Sequence, residues 1–397
     1  MTKITLHKVK RKRGSVWMLR WYDSRGRRCG ETIGKVGVMT KRQAEAIRRD
    51  RQGKTDNGLA TLDRPERMTL ADFIEHDQET IKPDVKGATL HEYKLAWDHA
   101  KAAIGGEALL TRIGWAEVSA VKQRLVDRGC RTATIRKTIV TLRATFNRAL
   151  KQGYVITNPF AEQRLPKVQS KQKRIYTHEE VAYVVKAAPD LWWEAFITLA
   201  VTSGLRKSEL LNLTWRDIDF DAKTVTVSAK RAATFKVGDI EYPILAWSAK
   251  SDQERSVPIP DDTLALLQRL QVKSGGSLYV FVSLARLQTI NHHIESGALR
   301  AKMDLVNNLL RQFIAIQVQA RKLLAEHRRV KVEKVDWPLG CLHDLRRTFC
   351  TWTAETVKMS TLQKWAGHED ISTTAVYYCD TTADEADRQR KAMAVSA

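Results

Sequence analysis

Between Met68 and Phe160, apolar residues recur at three- and four-residue intervals through "TLADFIEHDQETI", "TLHEYKLAWDHAKAAI", "WAEVSAVKQRLVDRG" and "TATIRKTIVTLRATFNRALKQG". That spacing predicts four or five amphipathic helices, which bury their apolar stripes by forming a bundle. The Asn-Pro of "YVITNPF" stops the last one. Upstream the period changes. "SVWMLRWY" and "RRCGETIG" read as strands joined by the turn "DSRG", and "TKRQAEAIRRDRQ" reads as a helix capped by Thr40. Trp17, Trp21 and Tyr22 are expected to form the core of this small module.

Two polar stretches, "GKTDNGLATLDRPER" and "RLPKVQSKQKRIYT", read as linkers. Beyond Tyr176 the pattern is helical, passes through the strands "TVTVSAK" and "RSVPIP", and returns to helix. The stretch "ALRAKMDLVNNLLRQFIAIQVQARKLLAEHRRV" predicts one extended amphipathic helix or a helical hairpin, expected to serve as a packing element. The fold class expected is mainly α with small β-sheets (α+β), in several domains: a sheet-plus-helix module over 1–58, a helical bundle over 66–163, and a mostly helical domain with a small antiparallel sheet over 174–397.

Charge changes this picture from architecture to partner. The 397 residues carry a formal net charge of +22. Residues 1–54 alone hold 17 Lys or Arg against 4 Asp or Glu, a net of +13. Such an excess points to a polyanion, and nucleic acid is the favoured partner over a merely solubilising surface. The longest apolar runs, such as "AFITLAV", fall short of a bilayer span, and no apolar segment follows the basic N-terminus, so no membrane is expected and the protein should stay in the cytoplasm. Five scattered cysteines (Cys29, Cys130, Cys341, Cys350, Cys379), with no CxxC pair, predict reduced thiols and neither disulfides nor a metal site.

Three stretches set charges among apolar residues. In "TSGLRKSELLNLTWRDID", Arg206 follows Gly204 at a helix start, and Glu209 lies three residues on, close enough to orient its guanidinium. In "CLHDLRRTF", His343 and Arg346 share one helix face and Leu345 and Phe349 the other, so the two polar groups are expected to project together. In "GHEDISTTAVYYCD", Ser372 is placed to cap a helix on which Thr373 and Tyr377 align, with His368 just before it. Taken singly, these read better as a structural ion pair, a solvated helix face and core packing.

As an ordered set, the box Gly-Leu-Arg-x-x-Glu-Leu, then His-x-x-Arg, then Gly-His, then tyrosine resembles the tyrosine recombinase (phage integrase) family. The resemblance implies that Arg206, His343, Arg346 and His368 surround the scissile phosphate and that Tyr377 is the nucleophile, with Tyr378 its neighbour. It also implies a lysine on a β-hairpin that protonates the leaving oxygen. "SAK" occurs twice, ending at Lys230 and at Lys250; the spacing of "KSDQERSVPIP" to its Arg-x-Val-Pro favours Lys250, with "RAATFKVGDIEYPILAWS" as an inserted stretch between the two.

The same resemblance makes the bundle a core-binding domain and residues 1–58 an arm-binding module, which tilts the reading toward an integrase of a prophage or other mobile element. It implies double-stranded DNA with core-type and arm-type attachment sites as the substrate and a homotetramer on DNA. It further implies a DNA-bending host factor and an excisionase as accessory partners, no cofactor, and a bacterial or phage origin with the protein at the nucleoid. The chemistry fits the residue types. Two arginine forks can neutralise the non-bridging oxygens of a phosphodiester, and a phenol with a pKa of about 10 needs proton removal or nearby cations to attack. Two alternatives remain: a resolvase or type IB topoisomerase-like enzyme sharing the chemistry, and a DNA-binding regulator on the same scaffold that does not cut.

Overall fold

The computed structural model describes residues 3–11, 14–22, 26, 28–56, 68–168, 174–249, 253–296 and 305–379, the last without the side chain of Cys379. It divides into two compact units, Met1–Ser170 and Lys171–Ala397.

The first unit begins with an antiparallel meander of β1 (Thr5–Arg11), β2 (Gly14–Tyr22) and β3 (Arg28–Lys35), followed by helix α1 (Lys41–Asp56). Strand β1 is absent from the sequence expectation, whose first strand is "SVWMLRWY", yet its backbone pairs with β2 from Thr5↔Arg20 to Arg11↔Gly14. Alternation puts Trp17 and Leu19 inside and leaves Tyr22 58% exposed, so Tyr22 is not part of the core. Thr40 does cap α1, accepting from the Gln43 amide at 3.2 Å while Gln43 Oε1 accepts from the Thr40 amide at 2.9 Å. Helix α1 also runs through Gly53 to Asp56, into the stretch expected to be linker. Ion pairs of Lys54 with Asp50 and Glu162 hold its last turn.

The bundle matches its periodicity: α2 (Leu70–Ile81), α3 (Gly87–Ile104), α4 (Trp115–Asp127) and α5 (Thr132–Lys151) close over Phe73, Trp97, Leu125 and Phe146. One charge lies within it. Asp77 is fully buried and receives Arg148 Nε and Nη2, each at 2.6 Å, the bidentate geometry a buried carboxylate requires. Asn158 secures the chain's exit, donating to the Arg143 carbonyl at 2.9 Å and accepting from the Phe160 amide at 2.8 Å.

The second unit runs α6 (His178–Lys186), α7 (Leu191–Ser203), α8 (Lys207–Leu211), β4 (Ile218–Asp219), β5 (Thr224–Val227), β6 (Ala233–Val237), β7 (Ile240–Ile244), β8 (Arg255–Pro258), α9 (Asp261–Val272), α10 (Leu284–Glu295), α11 (Leu309–His327), α12 (Leu342–Ala354), α13 (Met359–Ala366) and α14 (Ile371–Cys379). Strands β4, β5 and β8 form one antiparallel sheet, in the order β4-β5-β8. The inserted stretch is a separate β6–β7 hairpin, pinned by buried Tyr242 and by the Leu245 amide donating to Tyr279 Oη at 3.1 Å.

The presumed second linker is tied down at its end. Tyr176 is 1% exposed, its amide donates to Thr348 Oγ1 at 3.0 Å, and its hydroxyl donates to Gln317 Oε1 at 2.7 Å. Gln317 belongs to α11, a single helix that buries Phe313, Ile316, Ala320 and Leu324, the packing role expected of the long segment. It is shorter than expected because Asn308, in the left-handed region at φ 58°, turns the chain into it; residues 297–304 of that segment lie outside the described residues. None of the described helices is long and apolar enough to cross a membrane.

Candidate active site

The site is built where two left-handed glycine turns, at Gly204 and Gly367, meet. Apolar α7 ends at Gly204, whose φ of 64° suits glycine and whose absent Cβ leaves room for Phe349, since a β-carbon would stand 2.1 Å from its Cδ1. The reversal hands the chain to Arg206 at the head of short α8. Glu209, 2% exposed, then binds Arg206 twice: Oε2 accepts from its amide and Oε1 from its Nη1, both at 2.8 Å. Burial alone would raise the Glu209 carboxyl, but the charge of Arg255, its hydrogen bond and those of Arg206 hold it below the usual carboxylate range. Glu209 thus holds both the backbone and the side chain of Arg206.

Arg206 Nη2 donates to the carbonyl of Gly367 at 2.8 Å. Arg346, on α12, is 2% exposed and sends Nη1 to the Gly204 carbonyl at 2.7 Å and Nη2 to the Ala366 carbonyl at 2.5 Å. The two guanidinium groups therefore converge on one turn, the end of α13 at Ala366 and Gly367. Burial, then the charge of Arg206, lowers the Arg346 pKa to about 10. His343 sits on the same helix face as expected, but it is exposed whereas Arg346 is drawn inward by the two carbonyls.

His368 follows Gly367 directly. Its Nδ1 lies 2.9 Å from Thr374 Oγ1, and its ring is near-parallel to that of Tyr377, 10° apart in plane with centroids at 6.3 Å. Burial, then the charges of Arg346, Arg206 and Arg255, push the His368 pKa down to about 4; that of His343, whose ring is open to solvent on one side, is lowered by partial desolvation and then by the charge of Arg346. Burial raises the Tyr377 phenol, with the neighbouring Cys350 thiol a smaller cause. At pH 7 these directions favour neutral imidazoles and a protonated phenol.

One expectation for α14 is corrected. Ser372 is not the cap: α14 starts at Ile371, and Asp370 Oδ1 accepts from the Ser372 amide at 2.8 Å. Thr373 is exposed, and the next residue, Thr374, is fully buried against His368. Of the two tyrosines, Tyr378 donates its hydroxyl to the Val357 carbonyl at 2.7 Å, a structural partner. The Tyr377 side chain packs against the cluster of Phe349, Cys350 and Leu362.

Lys250 lies outside the described residues. Lys230 is engaged elsewhere, donating to Asp217 Oδ1 at 2.6 Å and to Ser228 Oγ at 2.7 Å, with the Lys230 and Asp217 side chains 12% and 7% exposed. One residue that the sequence reading used only for spacing proves central: Arg255, 5% exposed, donates Nη2 to Glu209 Oε2 at 2.6 Å and Nε to the Trp365 carbonyl at 2.8 Å. Its signal was present in "ERSVPIP", where an arginine interrupts a strand otherwise suited to burial.

Two family models match the chain. One described as the phage integrase family matches residues 173–384, more than half of the chain, and the phage integrase SAM-like domain matches residues 69–167. The chain belongs to the phage integrase family. Among curated relatives of this family member, the tyrosine recombinase XerC-like protein of Caldanaerobacter subterraneus subsp. tengcongensis is 26% identical over 361 residues, 85% of each chain. The tyrosine recombinase XerC of Xanthomonas campestris pv. campestris is 26% identical over 312 residues, 77% of this chain and 82% of that one. Solved integrases share its fold. The Tn1549 transposon integrase in complex with a circular intermediate DNA aligns with a TM-score of 0.59 at 19% identity, over 82% of this chain and 100% of the other. A lambda integrase tetramer bound to a Holliday junction aligns at 0.57 and 17% identity, over 93% and 94%.

Proposed function

We propose that this family member is a site-specific tyrosine recombinase, the integrase of a prophage or similar mobile element, that cuts and rejoins duplex DNA through a 3′-phosphotyrosyl link. The observation carrying this reading is the convergence of Arg206 and Arg346 on the Ala366–Gly367 turn, next to His368 and its stacked partner Tyr377. A charged phosphate repels nucleophiles, and the pentavalent transition state places more charge on its non-bridging oxygens. Two fixed guanidinium groups answer that charge without reorganising.

In the reaction, the Tyr377 oxygen attacks phosphorus and its proton passes to the neutral imidazole of His368 or His343, whose basicity rises once an anionic phosphate lies beside it. The bond to the 5′ oxygen breaks, and that oxygen takes a proton from Lys250. A 5′ hydroxyl from another strand reverses the step. Because the phosphoester is conserved in the phosphotyrosyl link, strand rejoining needs no ATP.

Residues 1–58 would serve as an arm-type DNA module, 66–163 as the core-binding domain and 174–397 as the catalytic domain, with the protein working in the cytoplasm as a homotetramer on two duplexes. The strong positive charge supports the DNA partner, with phosphate contacts dominating affinity. Covalent capture tests the reading. Protein is mixed with DNA flanking its own gene and denatured, and the attached DNA is sequenced, with Tyr377→Phe and Tyr378→Phe in parallel. Adducts lost only in Tyr377→Phe are expected. Loss only in Tyr378→Phe shifts the nucleophile by one residue, and salt-sensitive binding with no adduct from any variant means a regulator.

A further inference from the structure

Arg255 occupies an unusual place for a charged side chain. It opens β8, its side chain is 3% exposed, and among the described residues its buried Nη1 finds no hydrogen-bond partner. An unsatisfied buried donor is costly, and a buried ion pair is weak evidence for stability, since apolar residues of similar volume often do as well. Stability alone therefore gives little reason for an arginine here.

Its two other contacts supply a reason. Nη2 donates to Glu209 Oε2 at 2.6 Å, and Oε1 of the same carboxylate accepts from Arg206 Nη1 at 2.8 Å. Nε donates to the Trp365 carbonyl at 2.8 Å, two residues before the Gly367 carbonyl that receives Arg206 Nη2. The turn lies directly on the guanidinium: a β-carbon at Gly367, where φ is +63°, would stand 2.9 Å from Arg255 Cζ. Arg255 thus fixes both anchors of Arg206, the carboxylate on one side and the turn on the other.

We propose that Arg255 is a positioning residue for the phosphate site, setting the direction of the Arg206 fork through Glu209 and the Trp365–Gly367 turn. The inference rests on the recombinase reading above. Arg255 is too deeply buried to meet DNA itself. It also supplies Glu209 with a second cation, so the carboxylate that orients Arg206 does not cancel its charge toward the substrate.

The test uses the full chain and a nicked duplex carrying the captured core site, with either an ordinary phosphodiester or a methylphosphonate at the scissile position. The methylphosphonate lacks the negative oxygen that an arginine fork neutralises. Arg255→Gln is expected to slow single-turnover adduct formation on the phosphodiester by about 100-fold, the scale of a misplaced catalytic group. DNA affinity should hold within about 3-fold, and the loss should shrink to within about 5-fold on the methylphosphonate. Arg255→Lys keeps the charge but cannot span both partners as a fork, so it should show a smaller loss, about 10-fold, with the same compensation; it carries the test if the Gln variant does not fold.

Equal losses on both substrates overturn the proposal, because a merely structural defect does not distinguish them, and so does an unchanged rate. If the wild-type chain forms no adduct on either duplex, the recombinase reading itself fails and this inference with it.

Discussion

The Gly204 carbonyl accepts Arg346 Nη1 at 2.7 Å across 142 positions of sequence, so a glycine chosen for its backbone also holds half of the cationic pair. Replacing it tests both roles at once. Gly204→Ala places a β-carbon 2.1 Å from the Phe349 ring at a φ of +64°. The expected loss is on the order of 3 kcal/mol or more, read from the urea midpoint, with slower adduct formation in whatever fraction stays folded.

The two candidate lysines should separate by the kind of damage their loss causes. Lys230→Met strands Asp217, whose side chain is 7% exposed, and should cost about 3–5 kcal/mol of stability, most of it recovered by adding Asp217→Asn. Lys250→Met should leave thermal stability unchanged and abolish cleavage of an ordinary phosphodiester. Cleavage should return when the leaving oxygen is replaced by sulfur, which departs without a proton. Loss of cleavage in Lys230→Met/Asp217→Asn, with normal activity in Lys250→Met, would reverse the assignment.

Acid should weaken the folded state through the histidines. His368 is held at about 4, below its ordinary 6.5, by burial and by Arg346 and Arg206, so the unfolded chain binds its proton more readily than the folded one. Its contribution is complete above pH 6.5 and is lost as pH falls toward 4. Melting temperatures measured from pH 7.5 to 5 should decline, and His368→Gln should flatten that decline. An unchanged slope in the variant would place the proton uptake elsewhere.

Removing residues 1–58 takes away most of the excess charge while leaving the catalytic residues in place. Filter binding at several salt concentrations should show a smaller salt slope and weaker binding to distal sites, with cleavage of a short core duplex preserved. Abolished cleavage on the short duplex would show that the N-terminal module is needed for the core reaction.

What the sequence made legible follows from how each feature is encoded. The bundle helices could be read because a stripe such as Phe73, Ile74, Asp77 and Ile81 repeats within one element, even though Asp77 is buried beside it. Local grammar also exposed Thr40 and the pairing of Arg206 with Glu209. Strand β1 was not legible because it is half exposed and lysine-rich, and its evidence is the backbone pairing with β2. Arg255 escaped because its partners Glu209 and Trp365 lie 46 and 110 positions away, beyond the reach of any periodicity. The start of α14 was misassigned because Asp370 and Ser372 are both good caps, and only the backbone decides between them.

The long separations also bear on the life of the protein before it is complete. Arg206 leans on Gly367, 161 residues later, and Arg346 reaches back to Gly204. Synthesis runs from the amino end, so a growing chain displays Arg206 well before the turn that will direct it exists. Loop closures of this length come late and slowly in folding. A half-made molecule therefore holds the arginine without its aim, and cutting competence arrives only with the final helices.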